Sequence, residues 1–257
     1  MDRAKFYAAL RKGSSGVFGS RVSAAQVKGM EGILDAFTTH GDGGRKTLAY
    51  ALATAYHETA RRMVPVREGL ASSDAGARRA VNALARRRGS GSAVARYARP
   101  TGPYNHVYYG RGHVQLTWLE NYRASSDDAG FDLVKHPDKM LDPLTSSRVL
   151  FKGLLDGRWN GRGKGLAFYL DKDDLQGARR TVNITDKWSA IAGYYQSFMK
   201  AIDAAGGIPF SAATQPTPEP VLIPPPPDIP KPDDNPSQPP QSGFFVALMK
   251  LIGRLFK

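Results

Sequence analysis

The chain has 257 residues, 41% hydrophobic and 23% charged, enough for one sizeable globular domain with appendages. It contains no cysteine, which excludes disulfides and thiolate metal sites and fits a reducing compartment of origin. Formal net charge is +13; the −3 of residues 211–242 and the +3 of residues 243–257 cancel, so the whole excess falls on residues 1–210 and should draw that body to polyanions such as nucleic acid, anionic lipid or a bacterial wall with its lipopolysaccharide.

The opening stretch, MDRAKFYAALRKGSSG, lacks an apolar core of signal-peptide length, so no secretory signal is expected there. In SAAQVKGMEGILDAF, Ser23 is a suitable N-cap, and Val27, Met30, Ile33, Leu34 and Phe37 recur at helical spacing. GDGGRKT at 41–47 resembles a phosphate-binding loop, but Arg45 stands where a glycine must precede the lysine, so it reads as a connection between helices. A longer helix, rich in alanine and leucine, is expected over RKTLAYALATAYHETARRM, stopped near Pro65. Further helices are expected over ARRAVNALARRR, SSRVLFKGLLDG and DKWSAIAGYYQSFMKAIDAA. The triple arginine 86–88 is either a solvated helix end or a contact for an acidic wall polymer. Extended structure is expected only in YNHVYYGRGHVQL, interrupted by Gly110 and Gly112. The reading is a mainly α domain over 1–210 with one irregular, β-like segment.

Residues 211–242 hold 12 of the 18 prolines, including Pro224–Pro227, and read as a disordered, semi-rigid polyproline linker. The final stretch 243–257, GFFVALMKLIGRLFK, is abruptly apolar and basic. Lys250, Arg254 and Lys257 form one polar stripe, with Phe244 and Phe245 among the apolar positions. Fifteen helical residues reach about 22 Å, short of a hydrocarbon core of about 30 Å, so an amphipathic helix lying in a membrane interface is expected rather than a span. A helix docked on the body or on a partner is the alternative.

Two stretches carry the chemistry. HETARRMVPVREG holds Glu58 and Glu68, which a continuous helix would set about 15 Å apart along its axis. A break near Pro65 lets the second glutamate turn back. Paired carboxyls are what glycoside hydrolysis needs, one to donate a proton and one to activate water or attack carbon, but the spacing alone leaves two solvated glutamates as the alternative. The second stretch, YYGRGHVQLTWLENY, brings Gln115, Thr117 and Asn121 as polar groups, and Tyr108, Tyr109 and Trp118 as flat faces for sugar rings, unless it is a core segment with a glycine turn.

Together these stretches resemble family 19 chitinases and the related phage endolysins, over roughly residues 20–205. The matching residues are His57-Glu58-Thr59 and the run Gly110-Arg111-Gly112, Gln115-Leu116-Thr117-Trp118 and Asn121-Tyr122, with Asn183 on a later asparagine. The resemblance implies a lysozyme-like helical fold and inversion at the anomeric carbon, with carboxyls about 6.5–9.5 Å apart. By it Glu58 is the general acid, its pKa raised by partial burial; Glu68 is the base, ionised in a wetter setting; and Thr117 holds the attacking water. His57, Tyr109, Gln115, Trp118, Asn121 and Asn183 are the candidate substrate-binding residues, although His57 can equally be an ordinary packed histidine that tunes its neighbour or does nothing.

Departures from plant members include Ala60, Arg61 and Arg62 after HET, an earlier second glutamate, Glu120 in place of a tyrosine, Arg123 after the NY pair, and the absence of cysteine. They point toward a bacterial or phage hydrolase of peptidoglycan, whose glycan shares β-1,4-linked N-acetylglucosamine with chitin. Five histidines show no compact metal spacing, so neither metal nor cofactor is expected. The expected partners are peptidoglycan strands and, through the tail, anionic membrane or lipopolysaccharide. No specific nucleic acid is expected, and the chain reads as a monomer made in a host cytoplasm and acting at the wall. The rivals are a chitinase, a non-catalytic basic module for wall or nucleic acid, and a protein whose tail alone attacks membranes.

Overall fold

The computed structural model describes residues 1–160 and 163–209; the proline-rich linker and the tail helix expected from sequence lie outside them. Among the described residues the chain is mainly helical, as its sequence suggests. The helices are α1 (Arg3–Leu10), α2 (Ala24–His40), α3 (Arg45–Glu58), α4 (Asp74–Arg88), α5 (Ala93–Tyr97), α6 (Leu119–Ala124), α7 (Ser126–Ala129), α8 (Pro143–Asp156), α9 (Leu166–Leu170), α10 (Leu175–Ala178) and α11 (Trp188–Ala204). Two-residue strands β1 (Val66–Arg67) and β2 (Arg111–Gly112) pair antiparallel, Val66 opposite Gly112 and Arg67 opposite Arg111.

The helix starts follow local chemistry. Ser23 caps α2 in a reciprocal box, its hydroxyl accepting from the Gln26 amide while the Gln26 side chain accepts from the Ser23 amide. Asp142 caps α8 ahead of Pro143, and Gly157 ends it in the left-handed conformation. The GDGGRKT stretch does connect helices: Asp42 accepts from the Gly44 amide and the Thr47 hydroxyl at the head of α3. The chain ends of the domain are tied together, since the Asp2 amide donates to the Ala205 carbonyl just past α11.

Helix α3 is central, with every residue from Thr47 to Glu58 buried. It packs on α11, while α2 packs on α8 and α1 on α11. Its alanines let these neighbours approach closely. The helix stops at Glu58 and not near Pro65. The Thr59 hydroxyl donates to the Ala55 carbonyl and accepts from the Met63 amide, and Ala60, Arg61 and Met63 all take positive φ. Three non-glycine residues in that region signal a tightly fixed reversal. It returns the chain to β1.

Two hydrophobic clusters result. The larger gathers buried residues of α1, α2, α3, α8, α9 and α11. The smaller consists of Ala77, Val81 and Leu84 from α4, Val94, Tyr97 and Ala98 from α5 and its end, and Val107 and Tyr109. Extended backbone sends successive side chains to opposite sides. Tyr108 accordingly belongs to the larger cluster and Tyr109 to the smaller.

Candidate active site

Glu58 ends α3 with its side chain fully buried, and its Oε1 lies 2.8 Å from Nη1 of Arg179, itself 1% exposed. Burial raises the Glu58 pKa above the usual carboxylate range, and Arg179 opposes the shift without cancelling it; Asp186 adds to the rise. The negative end of the α3 dipole acts in the same sense. Arg179 is set by its Nε, which donates to the Asp186 carbonyl. Around this pair lie buried polar atoms with no hydrogen-bond partner within the protein: Glu58 Oε2, the Thr54 and Tyr50 hydroxyl oxygens one and two turns back along α3, His57 Nε2, Asn183 Nδ2 and Asp186 Oδ2. Protein interiors rarely leave such groups unmatched, so their concentration marks a place built for polar visitors.

Glu68 follows β1 and is 2% exposed. Its backbone amide donates to the Gly110 carbonyl at 2.8 Å, and the Gly110 amide donates to its Oε2 at 2.9 Å. The Tyr97 hydroxyl donates to its Oε1 at 2.7 Å. The wetter setting expected for Glu68 is therefore not found: burial raises its pKa too, against lowering by Gly110, Tyr97 and Arg111. The reason is the β1–β2 ladder, which draws the 66–68 backbone under the glycine-rich segment. The two carboxyls keep separate partners. Glu58 stands on the larger cluster and Glu68 is held by a tyrosine of the smaller.

The remaining expected residues divide between these surroundings. His57 adjoins Glu58 and is 7% exposed; burial lowers its pKa to about 3, so its ring is neutral. Asn183 is half-buried, its Oδ1 accepting from the Ile184 amide. On the Glu68 side, Gln115 is buried and its Nε2 donates to the Val66 and Gly112 carbonyls, so the amide nitrogen stitches the ladder together in place of facing a ligand. The Thr117 hydroxyl donates to the Gln115 carbonyl, and Asn121, half-buried, donates to the Thr117 carbonyl. Trp118 is half-buried with its ring edge-on to Tyr97 at 5.4 Å. Tyr109 offers no face to a sugar, and neither does Tyr108. Tyr109 is fully buried beneath the Arg111 guanidinium, 3.6 Å from its ring centroid, with its hydroxyl donating to Asp74. The Tyr108 hydroxyl donates to the Val134 carbonyl.

Three residues given no site role from sequence complete the surroundings: Arg179, Tyr97 and Arg111, the last of them part of the GRG run. Arg111 is 1% exposed and joins Asp74, Asp138, the Tyr122 hydroxyl and the Val107 and Tyr109 carbonyls, fixing the chain that presents Gly110 to Glu68. Neither Arg179, one of two adjacent arginines in the Arg179–Thr181 turn, nor Tyr97 carried a sequence signal that set it apart. Among the described residues no group of His, Asp and Glu side chains could hold a metal ion.

Residues 22–155, which include both glutamates and the whole glycine-rich segment, match the model of the glycoside hydrolase 19 family, chitinase class I. The chain belongs to glycoside hydrolase family 19. Chitinase 11 of Oryza sativa subsp. japonica is 44% identical over 48 residues, 18% of this chain and 19% of that protein, so the chain spans about a fifth of the curated relative it matches. Among solved structures, chitinase C from Streptomyces griseus HUT6037 is 20% identical, with 80% of this chain and 76% of that chain covered and a TM-score of 0.48. A bacterial family 19 chitinase is also 20% identical, covering 81% and 96% with a TM-score of 0.45. Membership in family 19 thus rests on the sequence match that spans the HET and GRG segments.

Proposed function

We propose that this family 19 chain is an endolysin that hydrolyses β-1,4 glycosidic bonds of bacterial peptidoglycan with inversion. The observation that carries the reading is the pair Glu58 and Glu68, both buried, both with raised pKa, and fixed by different hydrophobic clusters on either side of one chain reversal. Glu58 gives its proton to the leaving glycosidic oxygen as the bond from that oxygen to the anomeric carbon breaks. Water attacks the opposite face of that carbon and passes a proton to Glu68, so each turnover consumes one water and inverts the centre. Thr117, hydrogen-bonded through Gln115 to the ladder that leads into Glu68, positions that water, and Asn121, Asn183, Trp118 and His57 contact the sugars.

The proposal continues outside the described residues: the 243–257 helix enters anionic envelope membrane or lipopolysaccharide, and the enzyme acts as a monomer at the cell wall. Muropeptides released from purified sacculi, identified by mass spectrometry, test the core of it. The chain should release fragments whose new reducing end names the bond, and Glu58→Gln should release none. Equal release by both would remove Glu58 from the mechanism. Deleting residues 243–257 should abolish permeabilisation of intact Gram-negative cells and spare activity on sacculi. A second reading, a chitinase acting on chitin, is favoured by the description of the matched family and by the rice relative. Cleavage of chitin oligomers with intact sacculi would establish it instead.

A further inference from the structure

The segment from Asp74 to Arg99 contains seven arginines, no lysine and one acid, Asp74, a net +6 out of the chain's +13 in about a tenth of its length. The single aspartate is already engaged by Arg78 and Arg111. Arg79, Arg86, Arg87, Arg88, Arg96 and Arg99 are exposed, and none makes an ion pair among the described residues. Arg79 and Arg86 are seven residues apart on α4 and share a face, opposite the buried Ala77, Val81 and Leu84. Arg86, Arg87 and Arg88 end the helix where the dipole is negative, which stabilises them but leaves their outward field intact. A solvated face needs only charge, and lysine or mixed signs would serve. Arginine alone, with no compensating acid, is the composition suited to planar oxyanions such as carboxylate and phosphate.

The position of this surface gives it a task. Helices α4 and α5 pack on each other and enclose the smaller cluster. Arg96 directly precedes Tyr97, the residue that hydrogen-bonds Glu68, and Arg99 follows two residues later on the same short turn. The arginines therefore lie on the outer side of the body whose inner side holds Glu68. We propose that the α4–α5 surface is a docking site for acidic groups borne by the glycan strand, and that it makes the enzyme select an anionic glycan over a neutral one. A strand held there is delivered to the Glu68 side of the site by field and by contact, with an attraction that falls as salt rises. The inference rests on the wall-hydrolase reading only for the choice of polymer.

The test uses the full chain and a variant carrying Arg79→Gln, Arg86→Gln, Arg87→Gln and Arg88→Gln, all exposed positions away from both glutamates. Cleavage of neutral chitin oligosaccharides should be unchanged by the substitutions. On sacculi, KM should rise about tenfold at low ionic strength with kcat retained, and the salt dependence of the parent should largely vanish. Sacculi with and without their phosphodiester polymer identify the acid: loss of salt dependence on removal assigns phosphate, and persistence assigns the carboxylates of the wall; either supports the surface. Retention of Glu58→Gln protein on immobilised sacculi against a salt gradient reads docking without catalysis, so a failure to cut the wall stays separate from a failure to bind it. Equal retention of the arginine variant, an equal loss on neutral and acidic substrates, or retention by anionic vesicles alone would overturn the proposal.

Discussion

Replacing Arg179 by methionine keeps the length of the side chain and removes the cation 2.8 Å from Glu58 Oε1. In the parent, burial raises the Glu58 pKa and Arg179 pulls it part of the way back, so the variant should carry a still higher value. A cation beside a carboxylate lowers its pKa, so without Arg179 the alkaline limb of kcat against pH should move to higher pH if Glu58 must be protonated to act. Stability should change with pH in the same direction. The folded pKa lies above the unfolded one, the folded state holds the extra proton between them, and stability therefore falls as pH rises through that window. The variant should be closest to the parent at the acidic end of the stable range, where the buried carboxyl is neutral in both, and furthest from it at the alkaline end, where an uncompensated buried charge costs about 3–5 kcal/mol. Urea unfolding at the two ends of that range, beside pH–rate profiles on chitin oligosaccharides, measures both. An unmoved alkaline limb together with an equal stability loss at both pH values would mean that Arg179 only fills space.

Three further outcomes are expected. Tyr97→Phe removes the 2.7 Å hydrogen bond that lowers the Glu68 pKa, so the acidic limb of kcat/KM should move to higher pH with the melting temperature little changed; a fixed limb would detach Tyr97 from the base. His113 is fully buried, its Nε2 donates to the Met63 carbonyl, and its pKa is lowered to about 4. The stability its neutral ring contributes is complete above the unfolded value near 6.5 and is lost as pH falls toward 4, up to about 3 kcal/mol, and His113→Gln should flatten that slope in urea titrations. Gly112→Ala asks a side chain to adopt φ +85° with its Cβ 2.7 Å from Ser146 Oγ and 2.9 Å from the Met140 carbonyl, so it should cost about 2 kcal/mol or more and lower the melting temperature by several degrees; an unchanged melting point would contradict the close packing of β2.

What the sequence disclosed was local. Ser23 with Gln26 and the spacing of Val27 to Phe37 specify α2, and the run of alanines and leucines specifies α3. The end of α3 was misplaced because proline is a visible stop, whereas the observed stop is a Thr59 hydroxyl capturing the Met63 amide and three positive φ angles at residues that are not glycine. The extended stretch 104–116 yielded a ladder of only two residues, because its backbone is mostly committed to turns and to the carbonyl contacts of Arg111. Tyr108 and Tyr109 looked like sugar platforms from their types. Their burial is set by Val134, Asp74 and Arg111, partners that no spacing rule brings together. Glu58 and Glu68 stood out as candidates from motif and resemblance, and both prove buried. Arg179, more than a hundred residues from Glu58, was not, since its role exists only through a contact that α11 and the 179–181 turn create.

The division of the interior into two apolar clusters has a mechanical consequence. Each jaw of the molecule owns one of the acidic groups, and what links them is the strap of residues 59–65, a ladder two residues long, and the segment from Val107 to Tyr122 with Arg111 bridging Asp74 to Asp138 and Tyr122. Small rocking of one jaw against the other changes the width between the groups while leaving each jaw internally intact. Gentle warming or dilute denaturant should thus idle such an enzyme well before it melts.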